Sequence, residues 1–455
     1  MKRAILTFAL ICMSAAAQPA SIVGKWMGTL QAGAAKLRIG LNVTSTPTGA
    51  LSATLDSLDQ GAMGLPIDSI AVSGGEVQFT AKALGLSYQG KLAANSIEGT
   101  LSQNGVNLPL TFEPASNVPP PSRPQEPKPP FPYRSEDVTV TSGDVRLAGT
   151  FTWPPSGGPF PAVLLVTGSG PQDRDEMLFG HKPFLVLSDY LTRAGIAVLR
   201  LDDRGTGKST GSFKDAGLRE FTSDAVNAVE WLKARKEVNG AKIGIVGHSE
   251  GGIVGPLAAT ATRDVAFVVM MAGPGVPFEQ LLREQSAAIM RSSGAPDAAI
   301  EQSASVQARI FAILREEPDD AKARQRLQQL VEDLNSKSPQ IGKLVEAQMP
   351  TLLSPEIRSA MQYDPAGTLR KLTCPVLAVD GSLDLQVSAD QNLPAIAAAL
   401  AAGHNPDYTV EKLPGLNHLF QTAKTGAITE YGQIEETISP RALKVIADWI
   451  NTVTR

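Results

Sequence analysis

From residue 21 to about 113 the hydrophobic positions recur at every second residue. Leu37, Ile39, Leu41 and Val43 alternate with Lys36, Arg38, Gly40 and Asn42, and Val77, Phe79 and Ala81 repeat the pattern, as do Leu108, Leu110 and Phe112. A period of two sends neighbouring side chains to opposite faces of a strand. Gly74-Gly75 and Asn104-Gly105 are hairpin turn pairs. Residues 18–113 are therefore expected to form a small all-β domain, a barrel or sandwich of about six to eight strands. Trp26, in the opening Ile22–Gly28 segment, is its expected core plug, and the domain contains no histidine.

Residues 114–133 carry Pro114, Pro119, Pro120, Pro121, Pro124, Pro127, Pro129, Pro130 and Pro132. That density of rings predicts an extended, semi-rigid linker and a domain boundary.

From 134 to 455 the texture changes. Val138–Val140 and Leu147–Phe151 read as an antiparallel pair, and Ala162–Val166, Ile196–Leu201, Lys242–Val246, Ala266–Met271, Pro375–Asp380 and Tyr408–Leu413 as further strands. Helical stripes at a period near 3.6 separate them, with Phe184, Leu187 and Leu191 on one helix and Phe221, Ala225, Val229 and Leu232 on another. Strands alternating with helices predict an α/β fold with a parallel sheet covered on both faces. Between about 274 and 370 the pattern is helical throughout, so an all-helical insertion is expected to stand over the strand ends as a lid. Ser439-Pro440 is the expected cap of a closing helix with Leu443, Ile446 and Ile450 inward.

Gly247-His248-Ser249-Glu250-Gly251 lies between an apolar strand and a helix of small residues. Gly-x-Ser-x-Gly in that setting is a nucleophile elbow, with Ser249 held in a strained conformation above a helix N-terminus. A serine alcohol needs a base and a carboxylate to orient it, and ligands sit beyond the carboxyl ends of parallel strands. His418 follows the Tyr408–Leu413 strand across a short loop and is the candidate base. His181 is read as near the entrance, His248 as turned away from the serine hydroxyl and His404 as part of a polar turn. Asp384, in the loop after the Pro375–Asp380 strand, is the candidate acid, with Asp380 its rival. The order Ser, Asp, His along the chain follows. The candidate oxyanion donors are the backbone N–H of Glu250 and that of Ser169 or Gly170, because Pro171 has none. Arg204–Ser209 invites a phosphate-loop reading, but Asp202 stands where the pattern requires glycine.

Composition narrows the classes. The 455 residues allow two or three domains, and a formal charge of −4 leaves no basic footprint for nucleic acid. Lys2 and Arg3, the apolar Ala4–Met13 and Ala15-Ala16-Ala17 read as a signal peptide over 1–17, too short an apolar run to span a bilayer. Ala9 and Ile11 fit a lipid-attachment motif at Cys12 poorly. Cleavage after Ala17 leaves Cys374 alone, so no intramolecular disulfide is expected. A periplasmic or secreted location follows as an expectation.

Residues from about 134 to the end resemble an α/β-hydrolase, on the sheet strands, the Gly247–Gly251 elbow, the Asp202–Ser209 loop and the acid and base loops. The Ser169–Asp175 stretch is similar to that of exported bacterial serine esterases and peptidase-like hydrolases, relatives that often carry a β-rich N-terminal domain. The resemblance implies ester, thioester or amide hydrolysis through an acyl-enzyme, with no cofactor and no metal. The loop after the first parallel strand departs from the His-Gly-Gly-Gly motif of one lipase group. Ester hydrolysis is the leading expectation, with a small-molecule ester as partner. An exported peptidase is the alternative, with Glu316-Glu317 or Asp319-Asp320 as anchors for an amino terminus. The β-domain as a glycan- or partner-binding module is a third reading. No nucleic acid and no membrane span are expected, and a homodimer is admissible.

Overall fold

The computed structural model describes residues 21–115 and 122–455, apart from 33–34, 47–48, 59–61 and 104–105. The expected signal peptide, Cys12, the Asn104-Gly105 turn and Pro119–Pro121 lie outside the described residues. Two compact units divide the chain, the first drawn from most of the residues before 117 and the second running on from 118 to 455. No helix among the described residues is long and apolar enough to cross a membrane.

The first unit is one antiparallel sheet of β1 (Gly24–Ala32), β2 (Ala35–Ser45), β3 (Leu51–Ser57), β4 (Ala62–Pro66), β5 (Ser69–Ser73), β6 (Glu76–Ala81), β7 (Leu86–Leu92), β8 (Ile97–Gln103) and β9 (Val106–Pro114). The order is β4-β3-β2-β1-β9-β8-β7-β6-β5, nine strands rather than the six to eight expected. The additional strands are the short β4 and β5, of five residues each, whose alternation is too brief to register as a period. Laid flat, nine strands would hold the outer two about 38 Å apart. Pro66 and Ser69, at the facing ends of those outer strands, can be at most about 11 Å apart along the chain. The sheet must therefore roll up, and the connecting residues stitch the seam: Ile67 N–H donates to Ala53 O of β3 and Asp68 N–H to Thr80 O of β6.

The inward positions carry the apolar half of the alternation. Leu41, Val43, Leu55, Val77, Phe79, Leu101, Leu110 and Phe112 are buried, and Trp26 is buried with its Nε1–H donated to Ile22 O. Tyr88 stacks on Phe79 at 4.9 Å and meets Phe112 edge-on at 5.3 Å, while its hydroxyl donates to Ile97 O or Leu110 O, each at 3.0 Å.

The second unit opens with the antiparallel hairpin β10 (Arg134–Ser142) and β11 (Val145–Trp153). It continues through β12 (Phe160–Val166), α1 (Pro183–Arg193), β13 (Ala197–Leu201), α2 (Leu218–Lys233), β14 (Val238–His248), α3 (Gly251–Ala261) and β15 (Phe267–Met271). The helical insertion follows as α4 (Phe278–Ser292), α5 (Asp297–Glu316), α6 (Asp320–Lys337), α7 (Pro339–Leu352), α8 (Pro355–Gln362) and α9 (Pro365–Leu369). The sheet resumes with β16 (Val376–Gly381), α10 (Ala389–Ala402), β17 (Tyr408–Leu413), α11 (Ile428–Tyr431) and α12 (Pro440–Val453). Strand order is β10-β11-β13-β12-β14-β15-β16-β17, with β12 to β17 parallel.

Alternate residues of the central strands feed two cores. Ala162, Leu164, Ile243, Ile245 and Val268 pack with α2, α3 and α10. Val163, Leu165, Val246, Val269 and Leu377 pack with α1 and α12. The insertion has a core of its own, in which Ile310, Phe311, Leu327, Leu330, Val345 and Met349 meet. Ser439 holds the N-cap position of α12, but its side chain accepts no capping hydrogen bond; Pro440 supplies the start instead.

The segment read as a linker is more than a spacer at its C-terminal end. Arg123 donates to the carbonyls of Phe179, Gly180, Gly432 and Ile434 at 2.9–3.1 Å. Gln125 donates to Ile438 O and accepts from Thr437 N–H. A proline-rich composition cannot disclose such anchors, because they depend on loops 56 to 313 residues away in the chain.

The alternation of the first unit is testable by a pair of neighbours. Phe112→Ala empties a buried site and is expected to cost about 3–5 kcal/mol. Thr111→Ala, on the exposed face, should stay within about 0.5 kcal/mol. Urea unfolding followed by circular dichroism distinguishes them; equal effects would contradict the inward assignment.

Candidate active site

Close backbone approach builds the elbow. A Cβ on Gly247 would sit 1.9 Å from Gly251 O, and one on Gly251 would sit 2.1 Å from Val166 O, so only glycine lets β14 turn directly into α3 beside β12. Ser249 takes φ 54° at the apex, a left-handed conformation that costs a non-glycine residue about 1–3 kcal/mol. Its own N–H is tied to Met271 O at 2.8 Å, which fixes the strained turn to β15.

His418 and Asp384 come together in the loops after β17 and β16. His418 Nδ1 donates to Asp384 Oδ2 at 2.6 Å, and both side chains are buried. Asp384 Oδ1 accepts the N–H groups of Gln386 and Val387, which aims the carboxylate. Burial alone would raise the Asp384 carboxyl, but the His418 ring and the hydrogen bonds from His418, Asp380 and Val387 hold it below the ordinary range. Asp380 is the opposite case: burial, then the charge of Asp384, push it well up, and its Oδ1 is taken by Gly381 N–H. Asp384 alone of the two is bonded to the imidazole.

The base loop is tied to the elbow. His248 Nε2–H donates to the His418 carbonyl at 3.0 Å, and the two rings lie 4.8 Å apart. No hydrogen bond joins Ser249 Oγ to His418 Nε2 among the described contacts; bonds of this kind often tighten only when substrate binds.

The loop after β12 leaves one of its two candidate donors free. Gly168 N–H donates to Glu176 Oε1 at 2.8 Å, and Gly170 N–H donates to Glu356 Oε1 at 3.1 Å. Gly170 is thereby engaged, and Ser169 N–H is left without an acceptor among the described residues, as is Glu250 N–H. Glu250 N–H follows Ser249 at the N-terminus of α3, which favours negative charge, and Ser169 follows Gly168, where a Cβ would lie 3.3 Å from Ser249 Cβ.

Ion pairs brace the neighbouring loops. Arg174 grips Asp202 through Nε and Nη2 at 2.9 and 2.8 Å, Arg204 grips Asp224 at 2.8 and 2.6 Å, and Arg200 pairs with Asp175. Each of these cations is spent on an aspartate. Glu250, Asp203 and Glu356 form no ion pair with a cation among the described residues. Burial, then Glu356 and Asp203, push the Glu250 carboxyl up to about 8. Burial pushes Asp203 up to about 7 against the hydrogen bonds of Gln172 N–H and Thr167. Burial also raises Glu356. Glu250 and Asp203 line a cavity of about 60 Å³ together with the Arg204–Asp224 pair, Asp202 and apolar side chains that include Leu164, Phe221 and Val254.

Other sequence expectations fare differently. His181 does not line an entrance: it is fully buried, bonded to Thr437 Oγ1 and Tyr431 O, and burial, then Arg123, lower it to about 4. Glu316 pairs with Arg326, Asp319 caps α6 and Asp320 pairs with Arg358, so the acids proposed as anchors at the α5–α6 junction are occupied at the surface. The acid that does reach the site from the insertion is Glu356 on α8, next to Ser359, whose Oγ accepts Leu218 N–H of α2. Glu356 and Glu176 were not singled out in the sequence; the acid run Asp173–Glu176 was the only local signal for the second.

The family model described as X-Pro dipeptidyl-peptidase (S15 family) matches residues 142–405, more than half of the chain. The chain belongs to this family. With the elbow, it is an α/β-hydrolase and a serine hydrolase. Esterase EstD of Thermotoga maritima is 36% identical to this S15-family chain over 153 residues, covering 34% of this chain and 35% of that protein. The chain thus matches about a third of EstD's length. Among solved structures, the Pyrococcus furiosus esterase Pf2001 superposes with TM-score 0.43 at 15% identity, covering 74% of this chain and 98% of that one. Est1E of Butyrivibrio proteoclasticus, solved with ferulic acid bound, gives 0.40 at 17% identity, covering 70% and 97%.

The raised carboxyl of Glu250 carries a pH signature. Its folded value, about 8, lies above the unfolded 4.5, so its contribution to stability is full below about 4.5 and is lost as pH rises through about 8. Glu250→Gln should flatten the fall in Tm between pH 5 and 8, measured by scanning fluorimetry at fixed ionic strength, by about the contribution of one ionising group. An unchanged Tm–pH slope would contradict an uncompensated carboxyl at this position.

Proposed function

We propose that this chain cleaves carboxylic esters through an acyl-enzyme on Ser249. The observation that carries the reading is the His418 Nδ1–Asp384 Oδ2 bond of 2.6 Å in a loop whose backbone is bonded to the residue preceding Ser249. Asp384 keeps the proton on Nδ1, so Nε2 is the bare, basic nitrogen. His418 takes the Ser249 proton as the hydroxyl attacks the ester carbonyl. The oxyanion receives Glu250 N–H and Ser169 N–H. His418 then protonates the leaving alcohol, and water repeats the sequence in reverse roles. Each oxyanion donor is worth about a hundredfold to a thousandfold in rate. The signal-like N-terminus supports a periplasmic or secreted site of action.

A second reading is favoured by a separate observation, the uncompensated acids beside the nucleophile. Glu250 and Glu356, whose carboxyls are held up chiefly by burial, are acids that a protonated amine near the acyl group, as in an amide or peptide with a free amino terminus, would draw into the ionised form and pair with. Amide cleavage uses the same three residues but requires protonation of a poorer leaving group.

Ser249→Ala should lower kcat/KM on p-nitrophenyl acetate by at least about ten-thousandfold, and Asp384→Asn by about the same factor. Asp380→Asn should cost far less. Steady-state assays on folded, purified variants decide it; an Asp380→Asn variant as impaired as Asp384→Asn would exchange the roles of the two acids.

Ester and amide readings separate by substrate. Short-chain p-nitrophenyl esters should be turned over at least about a hundred times faster than aminoacyl p-nitroanilides, a difference of about 2.7 kcal/mol in barrier. The second reading predicts instead efficient anilide cleavage, with Glu356→Gln raising KM for amine-bearing substrates and leaving p-nitrophenyl acetate unaffected.

A further inference from the structure

We propose that Glu176 and His248 form a buried positioning pair that holds the oxyanion loop and the base loop in register with the nucleophile. The inference rests on Ser249 and His418 acting as nucleophile and base. His248 directly precedes Ser249 on β14, and both of its ring nitrogens are engaged. Nε2 meets the His418 carbonyl at 3.0 Å, and a carbonyl only accepts, so Nε2 carries a proton. Nδ1 meets Glu176 Oε1 at 2.9 Å, and that oxygen already accepts Gly168 N–H at 2.8 Å. A neutral imidazole has one N–H for these two acceptors. A second proton must therefore lie on the Nδ1–Oε1 contact, and an imidazolium facing a carboxylate satisfies both contacts of the ring.

The surroundings favour that state. Burial opposes a charged ring, but the Glu176 carboxylate, the hydrogen bonds the ring donates to Glu176 and to the His418 carbonyl, and the Asp384 charge together raise its affinity for the proton. The His418 ring faces it at 4.8 Å. His248 is 3% exposed and Glu176 1%, so solvent does not compete for these bonds.

The connectivity is what makes the pair functional. Through Glu176 the ring holds Gly168, the residue before the free donor Ser169. Through Nε2 it holds the backbone of the base. By covalent connection it holds the serine. Glu176 itself adopts φ 51°, and its Oε2 has no hydrogen-bond partner among the described residues. Such a residue is poorly suited to being a stabilising element alone. Charge on the ring is needed to donate on both sides at once, so the pair is sensitive to neutralisation without loss of shape.

Glu176→Gln keeps the shape and an acceptor for Gly168 but removes the charge that retains the second proton. In the full-length protein, with active sites counted by fluorophosphonate titration, kcat on p-nitrophenyl acetate is expected to fall about ten- to a hundredfold with KM within about twofold. Glu176→Gln with unchanged kcat per titrated site, whatever its Tm, would overturn the proposal. A measurement that does not depend on a variant is ¹⁵N NMR of wild-type protein labelled at histidine. The expected result at pH 8 is an attached proton on both ring nitrogens of His248 or one shared with Glu176; a ring with one protonated and one bare, unshared nitrogen would overturn it. Failure of either test leaves the loss of activity in Ser249→Ala unaffected, so the two readings fail separately.

Discussion

The contact between Gly247 and Gly251, where one strand turns into a helix with no room for a side chain, is the constraint on which the site depends. It forces Ser249 into a positive φ and starts α3 within reach of β12. It also leaves Glu250 N–H unpaired at a helix N-terminus. The strain and the free donor are consequences of one steric arrangement. The sheet order then determines which loops reach it: β12 lies beside β14 and brings the Gly168–Gly170 loop, while β16 and β17 bring acid and base from the other side.

Electrostatics around the elbow are arranged by pairing rather than by net charge. Arg174, Arg200 and Arg204 are each committed to an aspartate and serve to hold loops in place. Of the acids left over, Glu250 and Asp203 face the cavity beside the elbow, and Glu356 takes the N–H of Gly170. Asp384 is stabilised as an anion by the ring it orients, whereas Asp380, at the end of β16, is driven toward its neutral form by burial and then by that anion. Two carboxyls of the same type thus adopt opposite states because only one of them can reach His418.

Much of this was legible in the sequence, because the responsible signals are local. The elbow is five consecutive residues, and the acid and base loops each follow a strand marked by an apolar run, so Asp384 and His418 meet as their positions imply. The helical insertion was legible from its period. What escaped was set by packing between distant segments. Glu356 reaches Gly170 only because α8 docks on α2, and nothing within α8 distinguishes it from other surface acids. Ser169 and Gly170 are equal candidates by position, and it is the Glu356 carboxylate on the Gly170 N–H that separates them. His181 read as a pocket residue because its loop is near the site, yet its neighbours from 431 and 437 enclose it entirely. In the first unit, β4 and β5 were too short to show a period, and the closure of the sheet lies in the hydrogen bonds of two connecting residues.

The central claim is that Ser249, His418 and the N–H groups of Ser169 and Glu250 act on one carbonyl. A crystal structure of the protein inactivated with an alkyl fluorophosphonate tests it most directly. The expected result is phosphorus bonded to Ser249 Oγ, with its non-bridging oxygen about 2.7–3.1 Å from both N–H groups and His418 Nε2 beside the serine oxygen. An adduct on another residue, or a phosphonyl oxygen turned away from Ser169 and Glu250, would contradict the account.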